Sequence, residues 1–257
     1  SFDTVGYGIL RGAEGGKQTF LLMDYGPHGG SHGHPDKLNL ILFADGDELA
    51  GEPVPYRYED SRHADWTRPT IAHWDVSVDQ HEQAPCTGKL LAFYDAGAVK
   101  VMRGVCNAAY AGVGLDRTVV QMPGYVVDVF RCWSNAEHTY DYPLCFRGAL
   151  DALKGVDPTT LKPLGLPTSR GYKHLRVGQV ANLSTDWTGA WQRDAVPATP
   201  ATATESAKPA NPANLVKVTV LGAPGAQVFV GQNVDGRDQA VIRRQGKQTV
   251  FAAVIDP

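Results

Sequence analysis

Polar and apolar residues alternate through much of this chain, in short runs set apart by turns rich in Gly and Pro. A period of two marks a strand with one face on a core and the other toward solvent. It predicts strands over Thr19–Met23, Leu38–Phe43, His73–Val78, Leu90–Tyr94, Val99–Val105, Arg117–Gln121, Tyr125–Trp133 and Tyr140–Gly148. Further along, it predicts Val216–Leu221, Gln227–Gly231, Ala240–Arg244 and Thr249–Ile255. Asp45-Gly46-Asp47, Pro123-Gly124, Ala223-Pro224-Gly225 and Gln245-Gly246-Lys247 supply turn chemistry between several of them. No segment of helical period separates the strands, so the expected class is all-β: stacked antiparallel sheets in a β-sandwich.

Composition changes once along the chain. Over 196–214 it turns to Pro, Ala, Thr, Ser and Asn, the make-up of a solvated, extended linker. The expectation is a main β-sandwich domain over 1–195, this linker, and a small C-terminal β subdomain over 215–257. Four short strands bury little surface alone, so the last piece should pack on the main sheets.

The 257 residues are 43% hydrophobic, enough for one large core or two smaller ones. A net charge of -3 gives no broad basic field for nucleic acid, so an acidic ligand would have to meet a local group of cations. No apolar run approaches the roughly 18 residues of a membrane helix, and residues 1–20 lack the basic-then-apolar order of a secretory signal. The chain begins with Ser1 rather than Met, and is expected to be a piece of a longer polypeptide. Cys86, Cys106, Cys132 and Cys145 include no CxxC pair, which argues against a thiolate zinc site. Buried free thiols are expected, with a Cys132–Cys145 bridge between neighbouring strands as the alternative.

The chemistry concentrates in Ser31-His32-Gly33-His34-Pro35-Asp36-Lys37-Leu38-Asn39. On a strand, His32 and His34 would project to the same face. Glu52 and His73, in Ile71-Ala72-His73-Trp74, could join His34 to make two imidazoles and one carboxylate, a set suited to zinc or a similar divalent ion with one position left open. A cupin-like barrel also uses His-x-His, but Leu38 stands where its acid would follow. Around this set lie Lys37, Tyr56, Arg57, Tyr58, Arg62, Trp66, Arg68 and Trp74, types that stack on sugar faces or grip a carboxylate or sulfate.

These segments resemble the C-terminal β-sheet portion of the heparinase II/III-like polysaccharide lyases, which include oligoalginate, heparin and heparan lyases. The likeness runs through Gly33-His34-Pro35-Asp36-Lys37-Leu38, Tyr56-Arg57-Tyr58, Trp66-Thr67-Arg68-Pro69-Thr70-Ile71-Ala72-His73, Phe130-Arg131, His138-Thr139-Tyr140-Asp141 and Arg243-Arg244-Gln245-Gly246-Lys247. It implies a β-sandwich that works beside an N-terminal α/α toroid absent from this sequence. It also implies cleavage of an acidic poly- or oligosaccharide by β-elimination, in a periplasmic or secreted bacterial setting, or a cytoplasmic one for an oligosaccharide-specific enzyme. By the same resemblance, His34, Glu52 and His73 hold a divalent metal, zinc by preference, although many relatives have Asp at the acid position. His32 and Tyr58 carry over as catalytic, while Arg57, Arg68 and Trp66 are read as substrate-binding. Cys145 stands where many relatives have a histidine. The alternative function is a noncatalytic carbohydrate-binding or structural β-module.

Overall fold

The computed structural model describes residues 1–14, 17–44, 46–155, 157–165, 169–193 and 215–257. The expected 196–214 linker lies outside the described residues. Strands β1 (Tyr7–Glu14), β2 (Lys17–Asp24), β3 (Leu40–Ala44) and β4 (Asp47–Ala50) form an antiparallel sheet in sequence order. A second sheet of twelve strands takes the rest. It comprises β5 (Ser77–Val78), β6 (Lys89–Ala96), β7 (Val99–Tyr110), β8 (Val113–Met122), β9 (Tyr125–Leu144), β10 (Ala149–Leu150), β11 (Lys162–Pro163), β12 (Arg176–Asn182), β13 (Trp187–Gln192), β14 (Leu215–Val220), β15 (Gln227–Gln232) and β16 (Asp238–Asp256). Its main path runs β10-β13-β14-β16-β9-β8-β7-β6, with β11, β12 and β15 branching from β16 and β5 pairing with β9. Every helical segment among the described residues is a short turn, and none is long and apolar enough to cross a membrane.

The sandwich follows from the alternation. Leu10, Leu21, Met23, Leu40 and Leu42 point inward from the small sheet and share one core with Met102, Leu115, Val119, Phe130 and Phe251 of the large one. Burial of such side chains contributes about 1.5–3 kcal/mol each. A second, smaller core gathers Trp66, Ile71, Tyr172, Leu175 and Val241.

Three expectations are corrected. First, Tyr125–Trp133 and Tyr140–Gly148 belong to one strand as far as Leu144, and Ala240–Arg244 and Thr249–Ile255 to another, because β9 and β16 pair along nearly their whole lengths. The sequence signal at Gln245-Gly246-Lys247 marks a bulge instead of a turn: Gly246 opposes His138 and Gln248 opposes Trp133, so Ser134–Glu137 face Lys247 alone. Gly246 takes φ 143 there, a conformation that disfavours a side chain. Second, residues 215–257, expected to pack on the main sheets as a small subdomain, supply β14, β15 and β16 to the large sheet itself, with β16 between β14 and β9. Third, only Ser77–Val78 of the expected His73–Val78 strand is paired; His73 instead follows a single turn over Thr70–Ala72.

At the centre, Arg117 and Asp128 form an ion pair with no solvent exposure. Arg117 donates to both Asp128 oxygens (2.9 and 2.5 Å), to Leu38 O (2.8 Å) and to Trp74 O (2.5 Å). A buried guanidinium needs this full set of acceptors to offset its lost hydration. The consequence for the site is positional: one side chain of the large sheet ties together the two chain segments that carry His34 and His73.

Candidate metal centre

The connection from β2 to β3 is an irregular loop, not a strand, and this changes where its two histidines point. His32 ends a single turn over Gly30–His32, and Gly33 turns the chain so that His34 departs in another direction. Gly33 passes so close to the preceding loop that a Cβ on it would lie 1.4 Å from His28 O. From Gly33 onward, side chains from elsewhere hold several of the backbone groups. Arg68 donates to Gly33 O (2.9 Å) and Thr70 Oγ1 to Pro35 O (2.6 Å). Gln83 accepts from Lys37 N (2.8 Å) and donates to Lys37 O (3.1 Å) and Asp75 (2.6 Å). Leu38 sits at φ 77, costly for a residue with a side chain, and Arg117 grips its carbonyl.

This scaffold brings His34, Glu52 and His73 together and adds Asp36, with one donor atom from each lying within 4.8 Å of the others. His34 Nδ1 and His73 Nε2 are 3.1 Å apart. Glu52 Oε2 lies 3.1 Å from His73 Nε2 and 3.4 Å from His34 Nδ1, and Asp36 Oδ2 lies 4.0 Å from His73 Nε2. His73 Nδ1 donates to Pro69 O at 3.0 Å, which directs Nε2 into the cluster. Asn39 orients the acid by donating to Glu52 Oε1 (2.9 Å) while its own oxygen accepts from Trp74 N (3.0 Å).

The charges are interdependent. Burial alone would push the Glu52 carboxyl up, but the neighbouring His73 and His34 outweigh it and hold it well below the usual carboxylate range. Burial likewise pushes His73 down, and the charge and hydrogen bond of Glu52, with Asp36 behind, reverse this and raise it to about 9. Nothing in the sequence pattern gives Asp36 a role. Pro-Asp reads as turn chemistry, and only the fold shows the carboxylate between Lys37 Nζ (3.4 Å) and His73.

The saccharide-directed residues divide sharply. His32 does not join His34; its Nδ1 lies 2.9 Å from the hydroxyl of Tyr58, which is largely exposed and packs on the His63 ring. A groove of about 410 Å³ runs past His28, His32, His34, Asp36 and Glu52. Arg57 is exposed beside Tyr58, whereas Arg68 is half-buried and committed to Gly33 O. Trp66 is a correction: it is 1% exposed and its indole N–H donates to Asp235 (2.8 Å), so neither ring face is open to a sugar. Lys37 and Trp74 are also buried, the first against Asp24 and Asp36, the second bonded to Tyr142. Arg62 pairs with Asp60 and covers the Tyr56 ring. Cys145 is half-buried just past the end of β9, with Sγ accepting from Asn233 (3.6 Å), and all four cysteines are free.

The all-β sandwich is the architecture the motif resemblance implied. Residues 1–127 match the family described as Heparinase II/III-like, C-terminal, the family that the motifs resemble. It is 28% identical over 194 residues to an exo-oligoalginate lyase of Saccharophagus degradans, covering 65% of this chain and 26% of that protein. It is 24% identical over 199 residues to an alginate lyase of Stenotrophomonas maltophilia, again 26% of the relative, so the chain spans about a quarter of the curated relatives it matches. A heparan sulfate lyase mutant from Pedobacter heparinus superposes with a TM-score of 0.69 over 99% of this chain and 35% of that one, at 13% identity. A heparinase III superposes with a TM-score of 0.66 over 100% of this chain and 36% of that one, at 17% identity. At such identities the structural likeness shows the fold, and the sequence matches relate the chain to polysaccharide lyases.

Proposed function

We propose that this chain forms the β-sheet wall of a polysaccharide lyase cleft that cuts uronate-containing chains, of the alginate or glycosaminoglycan type, by β-elimination. The observation that carries the reading is the exposed contact of His32 with Tyr58 at a groove lined by His34, Asp36 and Glu52. An α/α toroid would supply the opposite wall and the base, and the complete enzyme would work in the periplasm or outside the cell.

In the proposed reaction a base takes the C5 proton, its electron pair becomes the C4–C5 double bond, and the bond from C4 to the bridging oxygen breaks. Charge building on the uronate carboxylate is the main barrier, and fixed cations or donors that meet it lower that barrier most. Arg57 and His32 are placed for this, Arg57 as an exposed fork and His32 as a donor at the rim. Tyr58 gives its proton to the departing oxygen and His32, within hydrogen-bond reach, stabilises the resulting phenolate. Arg68 contributes through Gly33, and Trp66 takes no direct part.

His34, Glu52 and His73, with Asp36 beside them, would hold the divalent ion. The fit rests on the donor set: two imidazole nitrogens and carboxylate oxygens, at mutual separations of 3.1, 3.1 and 3.4 Å for the first three, against roughly 3.3 Å between ligands around tetrahedral zinc. When bound, such an ion supplies positive charge and a fixed geometry that ties the His32–Asp36 loop to the sheet. The chain's own residues then position His32.

The test uses this chain joined to an α/α toroid, with ultraviolet absorbance of the unsaturated product as the readout. Tyr58→Phe and His32→Ala should each lower kcat by about 10²–10⁴-fold, the usual span for a lost proton-transfer group. Unchanged turnover in both variants would remove the basis of the reading.

A further inference from the structure

We infer that Cys86 and Cys106 form a disulfide that fastens the 79–88 segment to β7, a covalent modification that stands independently of the lyase reading. Their Sγ atoms are 3.2 Å apart, within the contact of one thiol with another and one short movement from a bond. The two residues are 20 positions apart, and nothing in their spacing distinguishes them from the other cysteines. The backbone already runs side by side there, with Ala84 N donating to Ala109 O at 2.7 Å. Cys106 is buried on β7 while Cys86 is partly open, so an oxidant can reach one sulfur and the other is held behind it.

The bond would matter to the candidate site through Gln83. That residue, three positions before Cys86, clamps both backbone groups of Lys37 and the carboxylate of Asp75. The 79–88 segment forms no strand of its own and is held by local contacts instead: the Val78–His81 bridge, Asp79 against His138 and Thr139, and Gln83 as above. Oxidation would therefore fix the clamp that holds the His34–Leu38 backbone.

The step balances with a small-molecule disulfide such as oxidised glutathione as the oxidant. The thiolate of Cys86 attacks one glutathione sulfur and releases one glutathione thiolate. Cys106, having lost its own proton to solvent, then attacks the Cys86 sulfur of the mixed disulfide and expels the second. Two protein thiols are oxidised and one external disulfide is reduced to two thiols.

The folded chain is incubated with oxidised glutathione, then unfolded, alkylated and digested without reductant. The expected product is a peptide pair linked through Cys86 and Cys106, two hydrogens lighter than the reduced pair, with Cys132 and Cys145 alkylated. Reduction of the linked chain should lower Tm by about 6–12 °C, from the loop closed by the bond and the chain's size. That difference should vanish in Cys86→Ala, which leaves the buried position intact. Alkylation of all four cysteines, a lasting glutathione adduct on Cys86, or a bridge joining Cys132 to Cys145 would each overturn the inference.

Discussion

Replacing Arg117 with Met is the most demanding perturbation the fold offers, because one guanidinium serves an ion pair and two loop carbonyls at once. Met fills much of the same space among Trp74, Phe130 and Tyr142, so the loss is electrostatic more than volumetric. Asp128 is left as a carboxylate with no exposure, a change that costs about 3–5 kcal/mol when a buried pair is broken from one side. Leu38 O and Trp74 O each lose a donor, at about 1–3 kcal/mol for a buried acceptor left unpaired. The terms overlap, since the loops relax once released, and a net loss of roughly 4–6 kcal/mol corresponds to a fall in Tm of about 10–20 °C. Thermal melts followed by circular dichroism, with urea titrations to verify an unchanged slope, give the value. Arg117→Met combined with Asp128→Leu should recover part of the loss, because the stranded charge is then gone. A single variant within about 1 kcal/mol of the parent chain would refute the idea that this pair holds the two site segments.

Two further outcomes follow from the loop and the cluster. Gly33→Ala should weaken divalent-ion binding at least tenfold in a calorimetric titration while the sheets melt near the parent temperature, because its Cβ must displace the His28 carbonyl and carry His32 and His34 with it. In chelator-treated protein, stability should depend on pH in opposite senses at the two ends. His73, raised from 6.5 to about 9, makes the native state hold a proton the unfolded chain has released, so its contribution is complete below 6.5 and disappears as pH rises through 9. Glu52, held below its ordinary 4.5, contributes above that pH and loses its contribution as the solution is acidified. Melts across pH 4–9 should peak between these limits, and a flat profile would contradict the paired charges.

Much of the fold could be read from strand periodicity, and its failures have physical causes. Leu40-Ile41-Leu42 and the β7–β8 region announce themselves because one face is buried at every second residue. β12 escapes the periodicity because nearly all of Arg176–Asn182 is exposed, leaving no apolar face to detect, and β1 because Gly8 and Gly12 dilute its alternation. The gap between Trp133 and Tyr140 and the turn signal at Gln245-Gly246-Lys247 are real discontinuities that the two long strands absorb together as a bulge. At the site, residue types identified His34, Glu52 and His73 as neighbours, but same-face strand logic misplaced His32, which a turn directs to Tyr58. Trp66 shows the limit of reading aromatics as sugar platforms, since its polar tip is satisfied inside a core by Asp235, far along the chain.

The central claim is that four side chains, two from the β2–β3 connection and two from the β4–β5 connection, make one ion site. Elemental analysis of the chain after zinc loading and exhaustive dialysis tests it most directly, with His73→Ala and Asp36→Asn treated in parallel. One zinc per chain should remain on the parent protein, none on His73→Ala, and a reduced, more easily chelated fraction on Asp36→Asn. Equal metal content in the parent and His73→Ala, or none in either, would contradict the account.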